Sequence, residues 1–381
     1  MALSVRQIGE EYNEEMLRIL LESPMESDGL SLCLDRSPDI FTVPRLFFQG
    51  FKAYGFFMDE QLVGYGMICQ KELYVNGKKT LVGYFANLYV KKEARKLGWL
   101  YKASKPLFEE ISKITDIGFA STVKGNRATE TMIGRRISKF PLMPHSELVG
   151  MQVVHNLLIT FKKRQKACPG LDPGAEGKGQ KLVVRRGKEE DISRIAELLD
   201  GEYRTRLFGA VMDEEHLREL IDTRPDFGIE NYWLAELDGR IVGVCSAWDI
   251  RSIRQVRIMA YRKKFKWVYR IYSLLGPVLG FPKLPLPGTP FREIIVNDFA
   301  TENRDPVIFE ALLRRVYNDA RKRGYNLIEV GSYVGDPMLA AVKPFFTQDV
   351  YSHTIVGTTT ADYLDKGQID VSRPFVDIAL T

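Results

Sequence analysis

The sequence repeats itself once, and this repeat limits what the chain can fold into. Near the start, "LSVRQ" resembles "LVVRR" at Leu182, and "FFMDEQLVGYG" resembles "LAELDGRIVGV", both at an offset of 179 in the numbering. Further on, "ANLYV" matches "VNDFA" and "DIGFASTVKGN" matches "NLIEVGSYVGD", both at an offset of 210. A constant offset on each side of a single step predicts two copies of one fold.

The step between the offsets locates an insertion. The second copy has about 31 additional residues between Gly243 and Asn297. A stretch rich in Gly, Pro and Lys, residues 162–181, separates the copies and is typical of an exposed linker. We therefore predict one domain over residues 1–161 and a second over 182–381, with a basic insertion at 250–292.

Both copies have the same predicted order of elements. A short strand and an amphipathic helix come first, followed by a variable helical region, a hairpin and a long strand. Helix, strand, shorter helix and closing strand complete each copy. The hairpins turn at Asp59-Glu60 and Asp238-Gly239, and Asn76-Gly77 closes another in the first copy. This order predicts an α/β (α+β) fold, a mixed sheet with helices on its faces.

The composition excludes several classes of protein. The 381 residues are 45% hydrophobic and 27% charged with a net charge of +5, which indicates a globular chain and excludes disordered and fibrous ones. The four cysteines are far apart and have no histidine at zinc-ligand spacing, so we expect no metal site. We find no leader peptide and no apolar stretch that could span a bilayer, which favours a cytoplasmic location.

The stretch "KKEARKLGWL", residues 91–100, joins a predicted strand at 84–90 to a predicted helix at 100–114. The first N–H groups of a helix have no intrahelical partner and carry partial positive charge, so they bind phosphate. Gly98 would let a phosphate approach the backbone, and the flanking Lys and Arg side chains add positive potential. A phosphate-binding loop is predicted; a solvated basic turn is the alternative.

The element order together with this loop resembles the GNAT superfamily of acyl-CoA-dependent N-acyltransferases. The resemblance covers residues 3–158 and 182–358, and tandem GNAT copies also occur in N-myristoyltransferase and mycothiol synthase. The family's loop reads approximately [Q/R]-x-x-G-x-[G/A]; Arg95 and Gly98 match it, whereas Leu100 replaces the final small residue. The resemblance implies a tandem GNAT protein that uses acetyl-CoA or another acyl-CoA as co-substrate.

The resemblance also assigns a cofactor site. The loop N–H groups would hold the pyrophosphate, and the strand before the loop would part from its neighbour and pair with pantetheine. Asn126 matches a family Asn that contacts the cofactor arm, although a simple helix N-cap is equally consistent with it. The implied cofactor-binding residues are Leu88, Tyr89, Val90, Arg95, Lys96, Leu97, Gly98, Trp99, Leu100 and Asn126.

The second copy has lost the features of this loop. At the offset of 210, Asp305 replaces Arg95 and Ile308 replaces Gly98. A carboxylate repels a diphosphate, and a β-branched residue blocks its approach to the backbone. Asp305 and Pro306 instead predict an ordinary helix start. The donor is therefore expected in the first copy.

The sequence leaves the catalytic groups open. Amide formation requires a proton to leave the amine and a donor at the thioester carbonyl. In many GNAT enzymes a tyrosine seven residues after the Asn is the general acid for the departing thiolate, but Ile133 occupies that position here. Proton loss to water with a backbone N–H at the carbonyl would need no side chain. The candidate catalytic residues are Ser121, Glu130, Tyr101 and His145.

The insertion has ten basic and no acidic residues from Ile250 to Arg292, interleaved with aromatic ones and followed by an apolar turn, "IYSLLGPVLGFP". Packing against the first domain is the favoured interpretation, because Lys and Arg stems cover apolar edges. An acidic substrate, an anionic membrane surface and nucleic acid are alternatives.

These observations predict an N-acetyltransferase, or more broadly an acyl-CoA-dependent N-acyltransferase, that transfers the acyl group to a primary amine of a small molecule or peptide. The alternative is a non-catalytic acyl-CoA sensor or a protein that binds an anionic partner.

Overall fold

The computed structural model describes residues 3–26, 29–97, 107, 109–125, 145–159, 164–165, 182–276, 278, 284–360 and 369–380. The strands among these residues are β1 Leu3–Ile8, β2 Met25–Glu26, β3 Leu30–Asp35, β4 Gly50–Met58, β5 Gln61–Val75, β6 Lys78–Val90, β7 Ile117–Val123, β8 His145–Leu158, β9 Leu182–Arg186, β10 Gly209–Ala210, β11 Tyr232–Leu237, β12 Arg240–Ser246, β13 Gln255–Tyr261, β14 Glu293–Val296, β15 Phe299–Thr301, β16 Leu327–Tyr333 and β17 Thr347–Thr358. The α-helices are α1 Asn13–Leu21, α2 Thr42–Phe47, α3 109–114, α4 Ile192–Tyr203, α5 Glu214–Thr223, α6 Lys263–Leu275 and α7 Pro306–Lys322.

The predicted repeat is present in the strand register. Val5 pairs with Phe56 in the first half, and Val184 pairs with Ala235 in the second, so the same offset of 179 relates both partners. A β-bulge follows Phe56 and another follows Ala235. The two halves therefore share the fold down to one irregularity of a hairpin, which confirms the repeat.

The last strand of each half is exchanged into the other half. The large sheet has the order β1-β4-β5-β6-β7-β17-β8-β16-β14, so β17 pairs with β7, and β8 pairs with β16. The two exchanged strands also pair with each other along their lengths. The predicted division at 162–181 consequently separates the chain but does not separate the sheet.

The first-half strands bury both faces. Alternate residues such as Tyr65, Met67 and Cys69 face a core that includes α1, while Ile68 and its neighbours pack on the α3 side. Cys33, Cys69 and Cys245 are buried free thiols. Burial raises the pKa of Cys33 to about 11 and that of Cys69 to about 12, so these thiols are protonated and unreactive.

The insertion packs on the first half through a strand. β13 pairs with β3 in an antiparallel manner, and Arg257 Nε lies 2.6 Å from Asp35 Oδ2 across the pair. Burial alone would raise the pKa of Asp35, but hydrogen bonds from Ser37 and the Arg257 guanidinium lower it. This pairing confirms interdomain packing for the strand. The apolar stretch after it is not only a turn, because residues 271–275 belong to α6.

Three other local predictions were wrong. The variable region of the first half contains a strand, β3, whose partner β13 belongs to the insertion of the second half. The long strand predicted for the second copy is broken at Asn297-Asp298 into β14 and β15. The shorter helix predicted for that copy is a 3-10 turn, Pro337–Val342. In each case tertiary contacts outweigh local propensity.

Two kinds of feature are absent from the described residues. None of their helices is long and apolar enough to cross a membrane. They also contain no cluster of three or more His, Cys, Asp or Glu side chains suited to a metal ion. Most of the predicted linker lies outside the described residues; within it, Gln165 hydrogen-bonds to Asn318 of α7.

A buried ionic cluster fixes the base of the insertion. The Arg254 guanidinium is 2.8 Å from Glu329 Oε2 and 3.7 Å from Glu293 Oε1. Glu293 is fully buried, and burial together with the like charge of Glu329 raises its pKa to about 8. The folded state therefore holds a proton at Glu293 that the unfolded chain releases near pH 4.5.

We expect this proton to make stability depend on pH. The favourable contribution of neutral Glu293 is fully present below about pH 4.5 and is lost as pH rises through about 8. Glu293→Gln should match wild type at pH 4.5 and exceed it at pH 8.5 in urea-unfolding free energy. Parallel pH curves for the two proteins would contradict the assignment.

Candidate functional site

A bulge interrupts β6 near the middle of the large sheet. Tyr89 pairs with Tyr65 and Ala86 pairs with Met67, so Asn87 and Leu88 together face a single residue of β5. Asn87 has a φ of 54°, and its side-chain amide donates to Met67 Sδ at 3.3 Å. Such a bulge bends the strand and redirects its backbone groups, as is common beside functional sites.

Beyond this bulge β6 leaves its other neighbour. β6 and β7 are parallel and pair only from Gly83 to Phe85, opposite Gly118 to Ala120. β7 continues in register with β17, where Ser121 faces Thr354. One edge of residues 86–89 therefore has no strand partner among the described residues. This slot confirms the expected parting of the two strands.

Three tyrosines and a buried arginine line one face beside the slot. The rings of Tyr65 and Tyr89 are 5.6 Å apart, and Tyr84 precedes the bulge on the same strand. Burial raises the pKa of all three tyrosines, and the nearby Arg36 guanidinium opposes that rise. Arg36 is 4% exposed. Arg36 Nε and the Tyr65 hydroxyl are buried without a hydrogen-bond partner in the described part of the chain.

The segment after β17 reaches the same face. Residues 374–380 pass between the halves, and Arg36 Nη2 donates to the Leu380 carbonyl at 3.5 Å. Burial raises the pKa of Asp377, whose carboxylate accepts from Asn297 at 3.1 Å. Burial lowers the pKa of Lys71, which lies on the Tyr65 face of β5 and interacts electrostatically with Asp377. Two groups with shifted pKa values thus share this face.

Lysines follow the ends of β6 and β7, the two parallel strands that part at the slot. Lys92 and Lys124 are exposed, and Lys91 is half-buried. β6 leads into a 3-10 turn, Lys92–Leu97, in which Ala94 is buried and its N–H donates to the Lys91 carbonyl at 3.0 Å. Of the predicted cofactor and catalytic residues, those outside the described residues are Gly98, Trp99, Leu100, Tyr101, Asn126 and Glu130.

The corresponding place in the second half contains a buried ionic network. Arg206 is 1% exposed; its guanidinium lies 2.7 Å from Glu202 Oε1, 3.1 Å from Ser332 Oγ and 3.4 Å from Asp336 Oδ2. Arg304 adds a second guanidinium, 2.7 Å from Asp336 Oδ1. At the offset of 210, Ser332 corresponds to Thr122 and Asp336 to Asn126. Protein side chains hold the Arg206 guanidinium, whereas Arg304 Nε and Nη1 are buried without a hydrogen-bond partner among the described residues.

The second-half loop also caps its own helix. Asp305 accepts a hydrogen bond from the Val307 N–H at 2.8 Å, and Pro306 begins α7. A cleft of about 410 Å³ lies beside the loop. Its charged side chains balance, so it does not select an anion: Arg194, Arg304, Arg373, Glu197, Glu202 and Glu302.

Solved structures share this architecture. A GCN5-related N-acetyltransferase from Sphaerobacter thermophilus aligns with a TM-score of 0.58 at 14% identity, covering 100% of this chain and 98% of that chain. A tandem GNAT protein from the clavulanic acid biosynthesis pathway aligns over 94% of this chain and 99% of that chain, with a TM-score of 0.55 and 12% identity. The chain has a tandem GNAT fold.

Saccharomyces cerevisiae N-myristoyltransferase, solved with bound myristoyl-CoA and inhibitors, has the same fold. It aligns with a TM-score of 0.57 at 16% identity, covering 93% of this chain and 80% of that chain. No model of a known protein family and no curated protein sequence matches the chain. At these identities the likeness concerns the GNAT fold.

The GNAT fold brings some of the predicted residues together. Leu88, Tyr89 and Val90 border the slot, and Ser121 follows the last residue of β7 that pairs with β6. His145 lies elsewhere: it pairs with Thr358, which pairs with Ile117 at the opposite end of β7. The register therefore separates His145 from the slot.

Sequence reasoning missed Arg36, Lys71 and Asp377. Arg36 follows β3, where the alternation of leucine with other residues in "LSLCLD" gives a weak local signal of a strand. A single lysine in the apolar strand β5 was a further signal. Asp377 had none, because only the strand exchange brings the segment after β17 between the two halves.

We expect the network around Arg206 to stabilise the fold without contributing to donor binding. Arg206→Met removes the fully buried cation that Glu202 and Asp336 share and leaves only Arg304 beside them, which should lower the free energy of unfolding by about 3–5 kcal/mol. Arg204→Met is the matched control, because Arg204 is exposed and its partner Asp200, four residues earlier, keeps hydrogen bonds from Tyr74 and Met212. Its effect in urea unfolding should be much smaller. Equal losses for the two variants would contradict the assignment.

Proposed function

We propose that the chain is an acyl-CoA-dependent N-acyltransferase whose first half binds the donor. The observation that supports this most is the slot between β6 and β7, with a bulge at Asn87 and a strand edge that β7 leaves open. Lys91 and Lys92 follow β6, and Lys124 follows β7. The second half fills the equivalent place with Arg206 and its partners.

The residues present fit such a donor. The open edge at Leu88 and Tyr89 offers backbone N–H and C=O groups to an amide-containing pantetheine arm. A backbone N–H redirected by the bulge would polarise the thioester carbonyl. The loop at 95–100 would hold the pyrophosphate through its N–H groups. When bound, the donor supplies the activated acyl group.

The acceptor would enter on the tyrosine face. We propose a primary amine of a small molecule or peptide, and its ammonium form must lose a proton before attack. Asp377 and Lys71 lie on this face, and burial moves the pKa of each toward neutrality. We propose that this pair accepts the proton, with Ser121 as a relay at the slot.

A non-catalytic sensor of acyl-CoA is the second candidate. It is favoured by Ile133, which replaces the tyrosine that many GNAT enzymes use as the acid for the departing thiolate. A sensor would bind the donor through the same slot and release no thiol.

Donor placement is tested with a loop variant. Gly98→Glu puts a carboxylate where the diphosphate would lie, so calorimetry should show at least a hundred-fold weaker acetyl-CoA binding than wild type. Gly201→Glu is the matched control, because an added Cβ at this exposed helical glycine meets nothing within 4 Å. Wild-type affinity in Gly98→Glu would refute this placement.

Proton transfer is tested at Asp377. Asp377→Asn keeps the side-chain shape but cannot accept the proton, so thiol release from acetyl-CoA with a panel of amines should fall about 10²–10⁴-fold. Its acetyl-CoA affinity should match wild type. Wild-type activity should rise with pH as the Asp377 carboxyl loses its proton, and the variant should lack this rise. An unchanged pH profile would exclude Asp377 from proton transfer. Wild-type binding without turnover on any amine would establish the sensor.

A further inference from the structure

The insertion helix α6 has two apolar sides. The inner side packs on the protein: Tyr269 stacks on Tyr261 with ring centroids 4.2 Å apart, and Phe265 lies against Gly29. Tyr272 continues this side and is half-buried. Three aromatic residues at helical spacing therefore fix the helix to the small sheet of β13, β3 and β2.

The outer side is also apolar, and it is exposed. Its residues lie on one continuous arc of the helix, since 100° per residue places them within about a third of a turn. The exposed fractions are 64% for Trp267, 47% for Val268, 57% for Ile271, 76% for Leu274 and 49% for Leu275, and Val278 just beyond the helix is 83% exposed. A surface helix normally hides such a stripe, so a contiguous exposed one marks an interaction site.

Basic side chains flank the stripe. Lys263, Lys266 and Arg270 are exposed, and the Arg270 guanidinium lies 5.1 Å from the centre of the Trp267 ring. From Ile250 to Arg292 the sequence has no acidic residue. The surface therefore combines an apolar stripe with a one-sided positive charge.

We propose that α6 docks the protein on an anionic lipid bilayer. A basic amphipathic helix with Trp and Leu on its apolar side lies in the plane of the membrane interface, with the apolar side among the acyl chains and the cations at the headgroups. A symmetric contact with a second copy would instead bring two basic flanks together, which is repulsive. An anionic bilayer provides acyl chains for the apolar stripe and negative headgroups for the cations.

The helix is connected to the candidate site. α6 follows β13 directly, β13 pairs with β3, and β3 runs into Arg36 on the tyrosine face. Because Tyr261 pairs with Leu30 and Gln255 pairs with Asp35, α6 begins at the end of β3 that is opposite to Arg36. Membrane binding itself does not depend on the proposed reaction.

The test is flotation of the full chain with vesicles at about 0.1 M salt. Vesicles of equal parts phosphatidylglycerol and phosphatidylcholine should bind about a hundred-fold more strongly than phosphatidylcholine alone, given three exposed cations at the surface. Raising the salt to about 1 M should weaken the binding. Failure to float with the anionic vesicles, or equal binding to both kinds, would overturn the proposal.

Two sets of substitutions locate the surface. The triple variant Trp267→Glu, Ile271→Glu and Leu274→Glu should lose flotation while keeping the wild-type unfolding midpoint, because these side chains are exposed. The control carries the same three charges at exposed valines elsewhere, Val183→Glu, Val307→Glu and Val334→Glu, and should float. Equal behaviour of the two variants would overturn the placement on α6.

Tryptophan fluorescence gives an independent readout. Trp267 is exposed, whereas Trp233 and Trp248 are buried. Anionic vesicles should shift the emission to shorter wavelength, and Trp267→Phe should remove the shift. A concentration-dependent dimer that the triple variant abolishes, without vesicle binding by wild type, would instead assign the surface to a second copy and refute the bilayer.

Discussion

The pairing of β7 with β17 and of β8 with β16 is the interaction on which the rest of the structure depends. If each half kept its own last strand, each would form a separate sheet with its own edge strands. The exchange joins both halves into one sheet and lets the segment after β17 pass between them. It also pairs β7 along its other edge beyond the point where β6 leaves it, so β7 stays in the sheet beside the open slot.

The two halves have the same fold but differ at the equivalent site. In the second half Glu202, Ser332 and Asp336 hold the buried Arg206 guanidinium. In the first half the equivalent region keeps an open strand edge, and the neighbouring face keeps a buried guanidinium nitrogen and a tyrosine hydroxyl without described partners. Buried polar groups without a partner cost stability, and Arg304 in the second half has two such nitrogens as well. The open strand edge therefore distinguishes the first half better than the unpaired atoms do.

Local chemistry predicted much of the fold. Asp59, Asn76 and Asp238 have the positive φ angles that their turn sequences indicate, and the repeat indicated the strand order within each half. The exchange was not predictable, because either last strand satisfies the same alternating pattern. Arg36 and Asp377 were missed for the same reason: their surroundings are built by segments that are distant in the chain. The predicted site residues on β6 and β7 could be assigned from the sequence, because the family's order of elements within one half identifies these two strands.

The exchange also has a consequence for biosynthesis. Once the first half has emerged from the ribosome, β7 and β8 still lack β17. β17 is the last strand to be made in the described part of the chain. During that interval two long strands present unpaired edges, which are templates for aggregation. A nascent chain of this kind needs either rapid elongation or a chaperone that covers the open edges. The tandem arrangement on one polypeptide keeps the missing strand tethered, so its arrival does not depend on protein concentration.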